Sequence, residues 1–259
     1  MSEALLERRD GAIVTLTFNR PQKLNALTKS LWQEIGATAR RLDGDTSVRA
    51  IVLRGAGGKA FSPGNDISEF ATERSNTEQA RRYGAVMHET LHALSGCRHP
   101  LVALIEGICV GGGLEIAACC DIRIAGQSSR FGAPIAKLGL VMAYAELEAL
   151  WRLAGRATTL ELLLEGRILN ASEALARGLV TRVVADAEVE HEAYAAATSI
   201  AEGAPLVHRW HKQFLRRLEA GDPLSAAERD EGFHCFDTRD FQIGFQAFLA
   251  KRKPEFEGR

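Results

Sequence analysis

The chain lacks a charge excess, an uninterrupted apolar run and any paired-cysteine pattern, and each absence removes a class of function. Its 259 residues carry 32 Lys+Arg against 33 Asp+Glu, a formal net charge of -1. No global field therefore draws it to nucleic acid or an anionic membrane, and its basic clusters, such as the RRL at Arg216 and the KRK at 251–253, hold no more than three consecutive basic residues. The most apolar stretch, 101–125, is interrupted by Glu106, Glu115 and Asp121. Those carboxylates would be costly in lipid, so no membrane span is expected. The opening MSEALLERRDG carries acids and no long apolar segment, unlike a secretory leader.

Cysteines number five (Cys97, Cys109, Cys119, Cys120 and Cys235), with no C-x-x-C spacing. That excludes a disulfide framework or a zinc cluster as the expectation and favours reduced, buried thiols in a cytoplasmic protein. His88 and His92, and His208 and His211, could each share a helix face. Neither pair brings an obvious third ligand, so no metal is expected. Nucleotide motifs are also missing. GAGG at 55–58 lacks the dinucleotide spacing, and no P-loop occurs.

What is present is ordinary globular composition, 46% hydrophobic and 25% charged, long enough to bury a large core. Alternation over 12–18 reads as a half-buried strand, and Thr28 as the N-cap of a helix to about Leu42 with Leu27, Leu31, Ile35 and Leu42 on one stripe. Segments 50–53, 101–106 and 121–125 read as further strands, 180–184 as a last short one. Helices are predicted within 67–94 and at 114–120, 147–154, 158–164, 171–178 and 188–202. Three successive strand–loop–helix units imply a mixed α/β core with functional loops where strands hand over to helices. Beyond about residue 188 no strand is expected. The aromatics there (Trp210, Phe214, Phe233, Phe236, Phe241, Phe245 and Phe248) suggest packing onto another subunit, or onto the same chain.

Two glycine-rich loops, at 55–66 and 107–113, each follow a buried strand and precede a helix. Backbone N–H groups are unpaired at such places, and one from each loop could converge on a single carbonyl oxygen and stabilise its developing negative charge. The competing reading is a pair of tight turns. Glu115 follows the second loop among Leu114, Ile116 and Ala117. It could cap the helix, but an idle carboxylate in apolar surroundings is expensive, and burial would raise its pKa toward the range useful for proton transfer.

AFSPGNDI (60–67) and GICVGGGLEIAACCDIRIA (107–125) together closely resemble the enoyl-CoA hydratase/isomerase, or crotonase, family. NRPQKLNAL (19–27), FGAPIAKLGL (131–140), ASEALARGLV (171–180) and FLAKRKPEF (248–256) extend the resemblance, in order, over nearly the whole chain. The resemblance implies an α/β fold, a crotonase-like spiral of ββα units. The core would span 1–190, and a helical C-terminal region, 191–259, would form trimers or dimers of trimers. It implies a coenzyme A thioester as ligand, with coenzyme A part of the substrate and no separate cofactor. The oxyanion hole falls on the backbone N–H groups of Ser62 and Gly112, and the catalytic carboxylate on Glu115. Coenzyme contacts fall on Lys23, Leu24, Asn65, Asp66 and Ile67, and on Phe248 and Lys251 from a neighbouring subunit.

One departure matters. The family's hydratases use a second glutamate four residues after the phenylalanine of the FG pair, and here that place holds Ile135. The isomerase branch relies on a carboxylate at the same place, and a dienoyl-type isomerase wants an acid where Ala143 stands. Tyr144 and Glu146, in VMAYAELEALWRL (141–153), are the new polar candidates for the missing acid–base group if the start of that helix faces the pocket. Pocket walls are expected from 70–94 and 141–150. Hydration of an enoyl-CoA is the leading expectation. Isomerisation, decarboxylation, thioester hydrolysis and acyl-CoA binding without turnover remain open beside it.

Overall fold

A computed structural model describes residues 3–259. Met1 and Ser2, the start of the N-terminal stretch read above as unlike a leader, lie outside the described residues. Ten strands run in chain order: β1 (Leu5–Asp10), β2 (Ile13–Phe18), β3 (Ala50–Gly55), β4 (Ala60–Ser62), β5 (Leu101–Ile105), β6 (Ile108–Val110), β7 (Ile122–Gly126), β8 (Arg130–Gly132), β9 (Ile168–Asn170) and β10 (Arg182–Val184). The α-helices are α1 (Lys29–Asp43), α2 (Phe70–Glu73), α3 (Thr77–Gly96), α4 (Gly112–Ala118), α5 (Tyr144–Leu160), α6 (Ala171–Ala176), α7 (Val189–Glu202), α8 (Pro205–Glu219), α9 (Ala226–Asp230) and α10 (Arg239–Leu249). Among the described residues, no helix is long and apolar enough to cross a membrane.

The strands form two sheets, a six-stranded one in the order β1-β2-β3-β5-β7-β10 and a four-stranded one in the order β4-β6-β8-β9. Three times the chain leaves the large sheet and at once adds a short strand to the small one: β3 to β4, β5 to β6, and β7 to β8. After the first two steps a helical segment carries it back, whereas after β8 the segment with α5 leads to β9 in the small sheet and α6 then returns the chain to β10. That repeated step is a spiral of ββα units.

The central strands are buried on both faces, which is why AIVL and LVALI are continuously apolar rather than alternating. Ile51, Leu53, Leu101, Ala103 and Ile105 join the main core with Trp32, Tyr83, Phe18 and Phe61. Ala50, Val52, Val102 and Leu104 point the other way, onto Val189, Ala193, Ala196 and Ala197 of α7. Helix α1 begins as its N-cap predicts: Thr28 Oγ1 accepts from the Leu31 N–H at 3.2 Å. Helix α5 is bent open at Gly155, whose φ is +70°, and so accounts for the two separate helices read from the sequence.

Sequence patterning missed β1 and all four small-sheet strands. β1 buries only its first residue, so it offers no alternation. The small-sheet strands are three residues each, too short for a period to register. After α7 the chain forms helices and no strands as far as Leu249, and its last residues are irregular. Asp240 accepts from the N–H groups of Glu257 and Gly258, which folds the last residues back onto α10. Phe233, Phe236, Phe245 and Phe248 nevertheless stay exposed.

Candidate active site

The two glycine loops converge because β4 and β6 are parallel neighbours in the small sheet, so the segments leaving their C-terminal ends lie side by side. Their backbones touch. A Cβ added at Gly113 would stand 2.3 Å from the Ser62 carbonyl oxygen, and one at Gly64 2.8 Å from the Gly112 nitrogen. At Gly112 it would meet the buried Trp32 ring at 2.9 Å. The GGG run thus has three separate causes: a φ of +53° at Gly111, the Trp32 ring at Gly112 and the opposing Ser62 backbone at Gly113. Gly113→Ala should lower stability by about 1–3 kcal/mol, the usual cost of overpacking, because the opposing atom is backbone and cannot swing away. A denaturant melt that matches wild type would contradict this close packing.

Above these loops lies a cavity of about 200 Å³, lined among others by Gly64, Asn65, Gly112, Glu115, Ile135 and Glu146. Gly112 sits at the start of α4, where backbone N–H groups have no helical partner. Ser62 is wholly buried, and its hydroxyl accepts from the Gly64 N–H at 3.1 Å. Ser62 is not among the residues that line the cavity, which begin with its neighbours Pro63 and Gly64.

Glu115 is 4% exposed, and its Oε2 has no hydrogen-bond partner. Burial, with the nearby Glu146 carboxylate adding to it, pushes its pKa up to about 8, while the Arg74 charge opposes the rise. A carboxyl that lines a cavity and keeps its proton near neutral pH has the chemistry of a proton donor.

The structure separates the two new candidates on α5. Tyr144 is 92% exposed and lines an outer groove with Trp151. Glu146 is 7% exposed and lines the cavity with Glu115. Its position follows from the helix start: Glu146 Oε2 accepts from the Ala143 N–H at 3.1 Å, half of a capping box whose other half Ala143 cannot supply. Oε1 lies 3.1 Å from His88 Nε2 on α3, which donates when that nitrogen carries the proton. Ile135 also lines the cavity, half-buried. The carboxylate missing at 135 thus has a counterpart eleven residues later, arriving from the next element.

The expected coenzyme-contact residues fall into two groups. The segment carrying Lys23 and Leu24 is tied to the first loop, because the Leu27 N–H donates to Gly64 O and the Asp66 N–H to Leu27 O, each at 2.8 Å. Lys23 and Leu24 are exposed, and Leu24 takes a left-handed turn, φ +53°. Asn65 and Ile67 line the cavity. The Asp66 side chain is committed to Arg20 at 2.8 Å and to Ser68, its N–H to Leu27 O and its carbonyl to the Glu69 N–H, and it does not line the cavity. Phe248, 81% exposed, and Lys251 stand at the end of α10, and neither lines the cavity of its own chain.

One cavity residue, Arg74, and one residue bonded to a cavity carboxylate, His88, escaped the sequence reading as site residues. His88 was visible only as a possible metal partner of His92, and nothing local links it to Glu146, 58 positions away. Arg74, at the end of α2, had no motif at all. A larger void of about 350 Å³ beside His92, Asp121 and Arg216 contains neither glycine loop nor Glu115. Size alone does not make it the site.

Relatives carry the same architecture. The chain matches the family model described as enoyl-CoA hydratase/isomerase over residues 8–259. It is 34% identical to the short-chain-enoyl-CoA hydratase of Clostridium acetobutylicum, covering 98% of this chain and 97% of that one. It is 31% identical to the crotonyl-CoA hydratase of Syntrophomonas wolfei, covering 98% of both. Among solved structures, an enoyl-CoA hydratase/carnithine racemase from Magnetospirillum magneticum superimposes with a TM-score of 0.97 at 48% identity, covering 100% of this chain and 97% of the other. Agreement of this extent, over nearly the whole length of the chain, means that the chain belongs to the enoyl-CoA hydratase/isomerase family.

Proposed function

We propose that this protein hydrates the double bond of an α,β-unsaturated acyl-CoA thioester, using Glu115 and Glu146 as its two carboxylates. The observation that carries the reading is the burial of both carboxyls in one cavity against the glycine loops, where the isoleucine at 135 had left a single acid. The names of the relatives, a short-chain-enoyl-CoA and a crotonyl-CoA hydratase, support the same reaction.

In this reading the thioester oxygen lies against the backbone N–H groups of Ser62 and Gly112. As water adds to the β-carbon, the negative charge moves onto that oxygen as an enolate, which the two N–H groups stabilise. Glu146, its oxygens held by the Ala143 N–H and His88, orients the water and takes its proton. Glu115, which keeps its proton at neutral pH, gives that proton to the α-carbon. The thioester then regains its carbonyl, and a proton passes from Glu146 back to Glu115 before the next turnover. Ordinary acid–base chemistry suffices, with coenzyme A entering only as part of the substrate.

Lys23, Leu24, Asn65, Asp66 and Ile67 would line the path of the coenzyme, with Phe248 and Lys251 reaching it from a neighbouring subunit of a trimer or hexamer. The exposed phenylalanines of the C-terminal region support that self-association, since such a patch costs free energy in water. Free, mostly buried thiols support a cytoplasmic setting.

The decisive assay is crotonyl-CoA hydration, followed as loss of the conjugated thioester absorbance. Turnover is expected. Binding of coenzyme A thioesters with no turnover across a panel of enoyl-CoAs would sink the hydration reading and favour a binding-only role.

A further inference from the structure

One cation lining the cavity has no ion-pair partner among the described residues. The Arg74 guanidinium, half-buried, lies over two aromatic rings, with its carbon 4.9 Å from the Phe70 centroid and 5.0 Å from that of Tyr83. It lines the cavity, yet among the described residues it forms neither an ion pair nor a hydrogen bond. The acidic side chains of its own segment are already engaged. Asp66 pairs with Arg20 at 2.8 Å, and Glu73 with the Lys29 ammonium at 2.7 Å. Glu69 accepts from the Lys29 N–H at 2.9 Å and from the Tyr83 hydroxyl at 3.1 Å. Within the cavity, Glu146 is held by Ala143 and His88, and Glu115 makes no pair with the arginine.

This arrangement is unusual for a pocket that takes a plain hydrocarbon chain. A partly buried guanidinium would ordinarily be neutralised by one of so many nearby carboxylates. Here it lies over two rings instead, and its N–H fork has no hydrogen-bond partner among the described residues. A guanidinium fork without a protein partner is free to match a carboxylate in two parallel hydrogen bonds.

We propose that Arg74 binds a carboxylate carried by the acyl group, so that the preferred ligand is the coenzyme A thioester of a short dicarboxylic acid rather than of a simple fatty acid. The inference rests on the reading that the acyl group of a thioester occupies this cavity. It does not depend on which reaction follows. A wall of Phe70, Met87, Leu140 and Val141 would hold the methylene groups, and Arg74 the far anion. The cavity, about 200 Å³, is below the roughly 300–1,000 Å³ typical of drug-sized ligands, which suits a short chain.

Saturated thioesters test this without any turnover, so a failure of the hydration reading leaves the test intact. Succinyl-CoA is to be compared with butyryl-CoA, and glutaryl-CoA with valeryl-CoA, by titration calorimetry. Each pair has the same carbon count and differs in a terminal carboxylate against a methyl. In at least one pair the wild type is expected to bind the dicarboxylic thioester ten- to a hundredfold more tightly. Arg74→Met should collapse that ratio to one or below, and Arg74→Lys should restore part of it, with thermal melts checking that each variant folds. Equal affinities within both pairs for the wild type would overturn the proposal. So would an Arg74→Met variant that weakens free coenzyme A and all four thioesters by one common factor, because the anion held would then be a coenzyme phosphate.

Discussion

Glu115→Gln should lower kcat for crotonyl-CoA hydration by roughly a hundred- to ten-thousand-fold, the range spanned by loss of a general acid or base. The amide keeps the size and burial of the side chain but has no proton to give the α-carbon. The same substitution should alter the pH dependence of stability, in a direction fixed by the environment of the group. The folded protein holds the Glu115 proton up to about pH 8, against an ordinary value of 4.5. Its contribution to stability is therefore complete below about 4.5, declines as the unfolded chain ionises, and is lost as pH rises through about 8. Melting temperature followed from pH 4.5 to 8.5 should fall less steeply in Glu115→Gln than in wild type. Parallel curves would mean that Glu115 ionises normally in the folded protein. Retained turnover would remove it from the chemistry.

Glu146→Gln should cost about a hundredfold or more in kcat, and it should also move the titration of its neighbour. Like charge from Glu146 adds to the burial that raises the Glu115 pKa. With that charge removed, Glu115 loses its proton at lower pH, and the alkaline limb of the rate profile should shift downward. The amide oxygen can still accept from the Ala143 N–H, so the start of α5 should keep its shape. This double signature separates a catalytic partner from a structural cap. A cap would affect stability and leave the limb in place. If rate and limb both match wild type, the single-carboxylate alternatives return.

Some of this was legible in the residues themselves. Thr28 as an N-cap, the apolar runs of β3 and β5, and the glycine loops followed by Glu115 are local facts, set by capping chemistry, burial on both faces and the absence of side chains. Six ordered motifs made the family resemblance readable over nearly the whole length. The three-residue strands of the small sheet were not legible, because their pairing depends on partners dozens of residues away.

The character of the cavity was likewise a tertiary matter. Tyr144 and Glu146 lie two residues apart on α5 and were equal candidates by position. Which one turns inward depends on where α5 packs against α3 and α4, and the bonds of Glu146 to His88 and to the Ala143 N–H reflect that docking. Arg74 gave no signal because a missing ion-pair partner is a property of a neighbourhood, not of a string. The sequence by itself determined the spiral core, the backbone-lined pocket and one buried acid. Only the folded chain decided that a second carboxylate and an unpaired guanidinium share that pocket, because charges interact through space over distances that residue spacing does not encode.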